Sequence, residues 1–325
     1  MTRARARSSE LERIARIAAV FGPRGDVAAA GIACGIGDDA AVLDTHGRPG
    51  KVVWTIYAQV EGVHFRPELA SWEDVGWRSF MAAASDVAAM GAVPWCALSA
   101  LVLSPTLDDA ALDAITRGQA AAAREVAAPV LGGNLSRGTE TSITTTLLGT
   151  CARAIERIAR GGDGVWIAGD VGLAAAGLAA LERGFDLRDE NVARAVNAWR
   201  RPRARIADGV AMAAVAYGAI DVSDGLARDV SHIARARDLC AILEEPALLA
   251  HLDPALRAVA ARLAISPLDL ALHGGEDYAL VAASDAPIPG FTRIGRFEDG
   301  PREGVALENA SGLRALDPRG FDHFG

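Results

Sequence analysis

A chain of 325 residues is longer than one hydrophobic core usually organises, so two packed domains are expected. Its 33 Lys+Arg against 41 Asp+Glu give a formal charge of -8, which argues against nucleic-acid or anionic-membrane partners, and its hydrophobic content of 51% is that of an ordinary soluble protein. Lys51 is the sole lysine, so no G-x-x-x-x-G-K-[ST] phosphate loop can be written, and any bound phosphate must be neutralised by metal ions, arginines and backbone N–H groups.

The start of the chain, with Arg3, Arg5 and Arg7, lacks the apolar run of a signal peptide, and Cys34, Cys96, Cys151 and Cys240 are scattered without metal-binding spacing. Reduced thiols in a cytoplasmic protein are expected. From Ser9 to Phe21 the apolar spacing is helical, and Gly22-Pro23 stops it. Strands are predicted around Ala40–Leu43, Val52–Ala58, Ala97–Leu103 and Ser142–Cys151, with helices near Trp72–Met90 and Asp108–Ala127. That mixture predicts an α+β first half, its sheet covered by helices on one side.

Val87 to Leu107 carries no charge and is long enough to raise the question of a membrane span. Gly91 and Pro94 interrupt it, so a helix-to-strand passage through a core is expected instead. The pattern restarts after Gly161–Gly164 with VWIAG, which divides the chain into an N-terminal domain of residues 1–155 and a C-terminal domain of 156–325. Beyond it the sequence predicts a helix near Gly172–Glu182, a long helix near Ala204–Tyr217, a strand–turn–helix in AIDVSDGLARDVSHIARAR, and a strand in LHGGEDYALVAA.

Gly35-Ile36-Gly37-Asp38-Asp39-Ala40 fits the dinucleotide fingerprint only superficially, because a β-like run follows where that motif needs a helix. Paired carboxylates on a glycine turn suit a hard cation better, although a solvated turn also explains them. Asp86 sits among alanines, where a carboxylate must be paired, metal-bound or on an exposed helix face. Asp221, Ser223 and Asp224 lie where a strand passes into a helix; Ser223 or Asp224 could cap that helix, but capping does not account for all three. Gly132-Gly133-Asn134 and Gly274-Gly275-Glu276-Asp277 read as further glycine turns that a ligand could approach. Four acidic segments, each beside small residues, fit a multi-metal phosphate site.

In the same order along the chain, GIGDDAAVL, VEGVHF, SDVAAMGAVP, GGN-x-x-RG, DVSDGLARD, GGEDYAL and the terminal GFDHF resemble the signature of the thiamine-monophosphate kinases. Parts of the pattern are shared with aminoimidazole-ribonucleotide synthetase and selenophosphate synthetase. The resemblance implies a two-domain PurM-like architecture of the α+β class: an N-terminal mixed α/β domain whose sheet forms a homodimer, and a C-terminal α/β sandwich domain completing the nucleotide and substrate site. It also implies ATP and Mg²⁺ as cofactors and transfer of the γ-phosphoryl group to thiamine monophosphate. By the same resemblance Asp39, Thr55, Asp86, Asp221 and Asp224 serve the metals, with Asp86, Asp221 and Asp224 the catalytic set. Gly133, Asn134, Ser223 and Arg157 meet ATP, while His64, Glu276 and Phe321 hold the thiamine phosphate.

Three positions depart from the family pattern. Tyr57 stands where a metal carboxylate is usual, Asn134 replaces an aspartate, and Glu156 aligns with an ATP-contacting arginine unless a one-residue shift brings in Arg157. Asparagine supplies a neutral oxygen and tyrosine keeps its proton near neutral pH, so both substitutions weaken Mg²⁺ binding. Fewer metals with retained activity, another substrate of the same superfamily chemistry, and a paralogue that binds without catalysis are the alternatives that follow.

Overall fold

The computed structural model describes residues 50–300 and 304–321 and, before them, only 16, 17, 19, 20, 32–34, 42 and 43. Asp39 and the whole of its glycine turn therefore lie outside the described residues, as do the ends of the expected Ser9–Phe21 helix. Two short strands, β1 (Ile32–Cys34) and β2 (Val42–Leu43), pair antiparallel. The chain divides into two compact units, one of residues 1–84 and 94–150, the other of 85–93 and 151–325.

In the first unit β3 (Lys51–Val60), α1 (Trp72–Ala89), β4 (Val93–Leu103), α2 (Asp109–Glu125), β5 (Val130–Arg137) and β6 (Ser142–Cys151) follow one another, and the division between units falls within α1 after Ala84. The sheet runs in the order β3-β6-β4-β5. Strict alternation along β6 turns Ile143, Thr145 and Leu147 inward. Asp108 starts α2 by accepting the Ala111 N–H at 2.8 Å. Two glycines bring the helices into backbone contact: a Cβ on Gly76 would lie 2.0 Å from the Ile115 carbonyl oxygen, and one on Gly118 would lie 2.0 Å from that of Glu73.

Gly132-Gly133-Asn134 is not a turn. It lies within β5, which pairs parallel to β4 with Gly133 opposite Ser99. A Cβ at Gly133 would stand 1.7 Å from the Ser99 carbonyl oxygen, so glycine is there to let two strands approach. The uncharged run from Val87 ends α1, turns at Gly91 and enters β4, and no helix among the described residues is long and apolar enough to cross a membrane.

The second unit carries β7 (Gly164–Ala168), α3 (Leu173–Glu182), α4 (Glu190–Arg200), α5 (Ile206–Met212), β8 (Gly218–Asp221), α6 (Leu226–Arg235), β9 (Leu239–Glu244), α7 (Glu245–His251), α8 (Pro254–Leu263), α9 (Pro267–His273), β10 (Leu280–Ser284), β11 (Thr292–Asp299), β12 (Gly304–Asn309) and β13 (Gly312–Ala315). Its sheet is mixed, in the order β13-β12-β9-β11-β7-β10-β8, with β12 parallel to β9. Both faces are covered, as a central strand such as β10 demonstrates: Val281 and Ala283 enter a core with α3, α4, α6 and α8, while Leu280 and Ala282 enter another with Ala88, Met212 and Phe291. That is the sandwich the family resemblance implied.

The long helix expected over Ala204–Tyr217 is only α5. Past Met212 the backbone leaves the helix so that the Tyr217 N–H can reach the Ala283 carbonyl at 2.9 Å and feed β8 into the sheet. Instead α4 provides the longer helix, capped by Asp189, which accepts from the Asn191 and Val192 N–H groups.

Candidate functional site

At the end of β8 the backbone delivers Asp221, which is buried, beside the last turns of α1. Ser85 donates to an Asp221 carboxylate oxygen at 2.7 Å across 136 residues of sequence. Burial first, and the neighbouring Asp86 carboxylate second, push the Asp221 carboxyl above its ordinary range, with Ser85 and the Arg157 guanidinium pulling it back. A buried carboxylate with a second, half-buried carboxylate near enough to raise its pKa makes a negative site that a hard divalent cation fits.

Neither Ser223 nor Asp224 caps α6. The N-cap is Gly225, at φ 135°, and it has no side-chain cap bond. The cap comes from inside the helix: one Asp229 carboxylate oxygen accepts the N–H groups of Ser223, Asp224 and Gly225 at 3.1, 3.1 and 3.0 Å. Burial, then Asp224, raise the Asp229 carboxyl to about 7, while those three N–H groups draw it down. Asp229 is a positioning residue that the sequence reading passed over. Its signal was a carboxylate in the first turn of the helix, four residues after Gly225.

Two further segments are bonded onto this turn. The Ser223 carbonyl accepts the Glu276 N–H at 2.8 Å, and a Cβ at Gly275 would meet that same carbonyl at 2.3 Å. Glu276 itself takes a left-handed φ of 69°, uncommon for a side chain of its size, and Tyr278 continues by donating to the Val222 carbonyl. From the C-terminal end, Phe321 donates its N–H to the Asp224 carbonyl at 3.1 Å, and Arg228 donates to the Phe321 carbonyl while its Nε stands 3.5 Å from the Asp224 carboxylate. The second unit thus brings Asp86, Asp221, Ser223, Asp224, Glu276 and Phe321 into one connected set, with Arg157 close enough to act on Asp221.

The remaining expected residues belong to the first unit. Thr55 and Tyr57 lie on β3, where the Thr55 carbonyl accepts the Thr146 hydroxyl at 2.8 Å. His64 occupies the turn after β3, its Nδ1 accepting the Val60 N–H at 3.1 Å, so the neutral ring carries its proton on Nε2. Tyr57 packs against it edge-on, with ring centroids 6.5 Å apart and an interplanar angle of 70°. Glu61 is turned to the Thr141 N–H at 3.0 Å and fastens that turn to the sheet. Gly133 and Asn134 are exposed on β5. Among the described residues no three His, Cys, Asp or Glu side chains form a metal cluster by themselves.

The family model for AIR synthase related proteins, N-terminal domain, matches residues 37–151. The thiamine-monophosphate kinase of Aquifex aeolicus (strain VF5) is 32% identical over 297 residues, covering 89% of this chain and 92% of that protein. The crystal structure of thiamine-monophosphate kinase from Stenotrophomonas maltophilia K279a superposes with a TM-score of 0.79 at 32% identity, over 92% of this chain and 96% of that one. AaThiL, solved in complex with AMPPCP and TMP, superposes with a TM-score of 0.79 at 30% identity, over 89% and 92% of the two chains. Motif order, fold and overall similarity agree, and this chain belongs to the thiamine-monophosphate kinase family.

Proposed function

We propose that this chain is a thiamine-monophosphate kinase that transfers the γ-phosphoryl group of ATP to thiamine monophosphate, giving thiamine diphosphate and ADP. The observation that carries it is the convergence of the Glu276 and Phe321 segments on the Ser223–Asp224 turn, beside the Asp86 and Asp221 carboxylates. Mg²⁺, held by Asp86, Asp221 and Asp224 together with Asp39 and Thr55, supplies charge neutralisation for the phosphates and alignment of donor with acceptor. Ser223, Gly133, Asn134 and Arg157 bind the nucleotide. The Nε2–H of His64 donates to the acceptor phosphate, Glu276 meets the cationic thiamine, and the exposed Phe321 ring covers its flat heterocycle. Catalysis is then positioning and electrostatics, with no covalent intermediate on the protein.

In this reading residues 1–155 supply Asp39, Thr55, Asp86, Gly133 and Asn134, and residues 156–325 complete the nucleotide and substrate site with Arg157, Asp221, Ser223, Asp224, Glu276 and Phe321. A homodimer through the first sheet is supported by β3, the outermost strand of that sheet among the described residues, which exposes Val52, Trp54 and Ile56 by 55, 72 and 69%. A contiguous apolar stripe of that kind marks an interaction surface. The scattered thiols and acidic composition support a cytoplasmic enzyme.

Purified protein with ATP, Mg²⁺ and thiamine monophosphate is expected to form ADP and thiamine diphosphate in equal amounts. Tyr57 and Asn134 favour a second reading, a paralogue that binds thiamine phosphate without turnover. Retained thiamine monophosphate binding with no ADP release would establish it in place of the first.

A further inference from the structure

Phe321 lies beyond the end of β13, in a segment that belongs to no helix or strand. Such backbone has conformational freedom to lose, so the direction of the ring depends on what ties the segment down. The Leu316 N–H donates to the Val305 carbonyl at 3.0 Å. The Arg319 carbonyl accepts from Nδ1 of His273, at the end of α9, at 3.1 Å, and that nitrogen carries the proton because a carbonyl only accepts. The Phe321 N–H donates to the Asp224 carbonyl, and the Phe321 carbonyl accepts from Nη1 of Arg228.

The last two bonds grip one residue from both sides. With its N–H and its carbonyl both engaged, the two peptide planes that flank the Phe321 Cα are held, and with them the direction in which the side chain leaves. Gly320 lets the segment lie this close: a Cβ there would stand 2.6 Å from the Asp224 carbonyl oxygen and 2.8 Å from Cδ of Arg228. The guanidinium serves two acceptors at once, since its Nε faces the Asp224 carboxylate at 3.5 Å while Nη1 bonds the Phe321 carbonyl. A planar fork can span two such directions, and a single ammonium on a flexible stem cannot. Because the ring is 44% exposed, this backbone clamp does more to aim it than side-chain packing does.

We propose that Arg228 is a positioning residue for acceptor binding: it holds the Phe321 carbonyl so that the ring already faces the place of the thiamine heterocycle before the substrate arrives. The inference rests on the kinase reading for the role of Phe321, and it makes Arg228 a determinant of acceptor affinity through preorganisation. In calorimetric titrations of thiamine monophosphate with Mg²⁺ and without nucleotide, Arg228→Met and Phe321→Ala are each expected to weaken binding about fivefold. The double variant is expected to bind no more weakly than Phe321→Ala alone, because Arg228 then has no ring to aim. Arg228→Lys keeps the charge and loses the fork, and it is expected to weaken binding as Arg228→Met does. In steady state Arg228→Met is expected to raise KM for thiamine monophosphate, with kcat and KM for ATP within about twofold of the wild type. Should Arg228→Met fold poorly, Gly320→Ala lifts the segment with Arg228 in place and is expected to weaken binding in the same way, again with no further loss beyond that of Phe321→Ala. Wild-type affinity in folded Arg228→Met, in Arg228→Lys or in Phe321→Ala, full additivity in the double variant, or a fall in kcat at unchanged KM would overturn the proposal and leave the kinase reading standing. If Arg228→Met does not fold, wild-type affinity in Gly320→Ala would do the same. A wild-type protein that binds no thiamine monophosphate would overturn both.

Discussion

Asp229 illustrates how this turn depends on a side chain bonded to its backbone. Its single carboxylate oxygen gathers three consecutive N–H groups and so fixes where the Asp224 side chain and the Ser223 carbonyl point. Asp229→Ala strands those donors, and a loss of about 2–3 kcal/mol in urea unfolding is expected together with a fall in kcat. Asp221→Asn removes charge without volume. Its product formation is expected to drop by roughly 10²–10³-fold with the fold intact, the scale of losing one electrostatic contact made to a transition state. Tyr57 belongs to the same scale. Restoring acid with Tyr57→Asp and Asn134→Asp is expected to lower the Mg²⁺ concentration for half-maximal activity about tenfold, since affinity follows ligand charge count. An unchanged Mg²⁺ titration would mean that neither position meets the metal.

Elements depend on close approaches and on charges shared between strands. Gly133→Ala places a methyl group against the Ser99 backbone, and about 3 kcal/mol of destabilisation is expected from the forced separation of β4 and β5. In the second sheet Arg296 on β11 reaches Glu298 at 2.6 Å, Glu308 on β12 at 2.7 Å and Glu244 on β9 at 3.5 Å. Its hydrogen bonds hold the Glu308 carboxyl below the usual glutamate value. A lowered folded-state pKa contributes stability above the unfolded value, and that contribution is lost as pH falls through the ordinary carboxylate range to the lowered one. The wild-type melting temperature is therefore expected to fall more steeply on acidification below pH 5 than that of Arg296→Gln. Parallel melting curves for the two proteins would remove Arg296 from the account.

For the whole molecule the proposed dimer is the property with most at stake. Trp54 is exposed by 72% among the described residues even though its indole N–H bonds the Thr146 hydroxyl, which leaves a large ring surface facing outward from β3. An exposed apolar stripe of this kind marks an interaction surface, here one for a second copy. Sedimentation is expected to give a dimer for the wild type and a monomer for Trp54→Glu, whose charge cannot be buried without a partner. A monomeric wild type would remove the support for pairing through this face.

The segments that meet at the Ser223–Asp224 turn were legible in the sequence because their local geometry is local in cause. A strand passing into a helix at AIDVSDGLARD, a glycine-flanked Glu276 and an alanine-rich helix around Asp86 are all set by neighbours a few residues away. The spacing of Val192, Ala195, Val196 and Trp199 also announces α4, although the helical expectation was carried instead to Ala204–Tyr217. What only the tertiary structure decided is long in range. Residues 85–93 belong with the second unit, which no single boundary along the chain can express. The Ser85–Asp221 bond spans 136 residues, and the Arg228–Phe321 bond spans 93. Gly133 reads as a turn until β4 lies against it, and Asp224 reads as a cap until Asp229 takes that role. Sequence periodicity encodes which face of an element is apolar, whereas the partner of a buried carboxylate depends on how those faces pack, and that is a property of the closed fold.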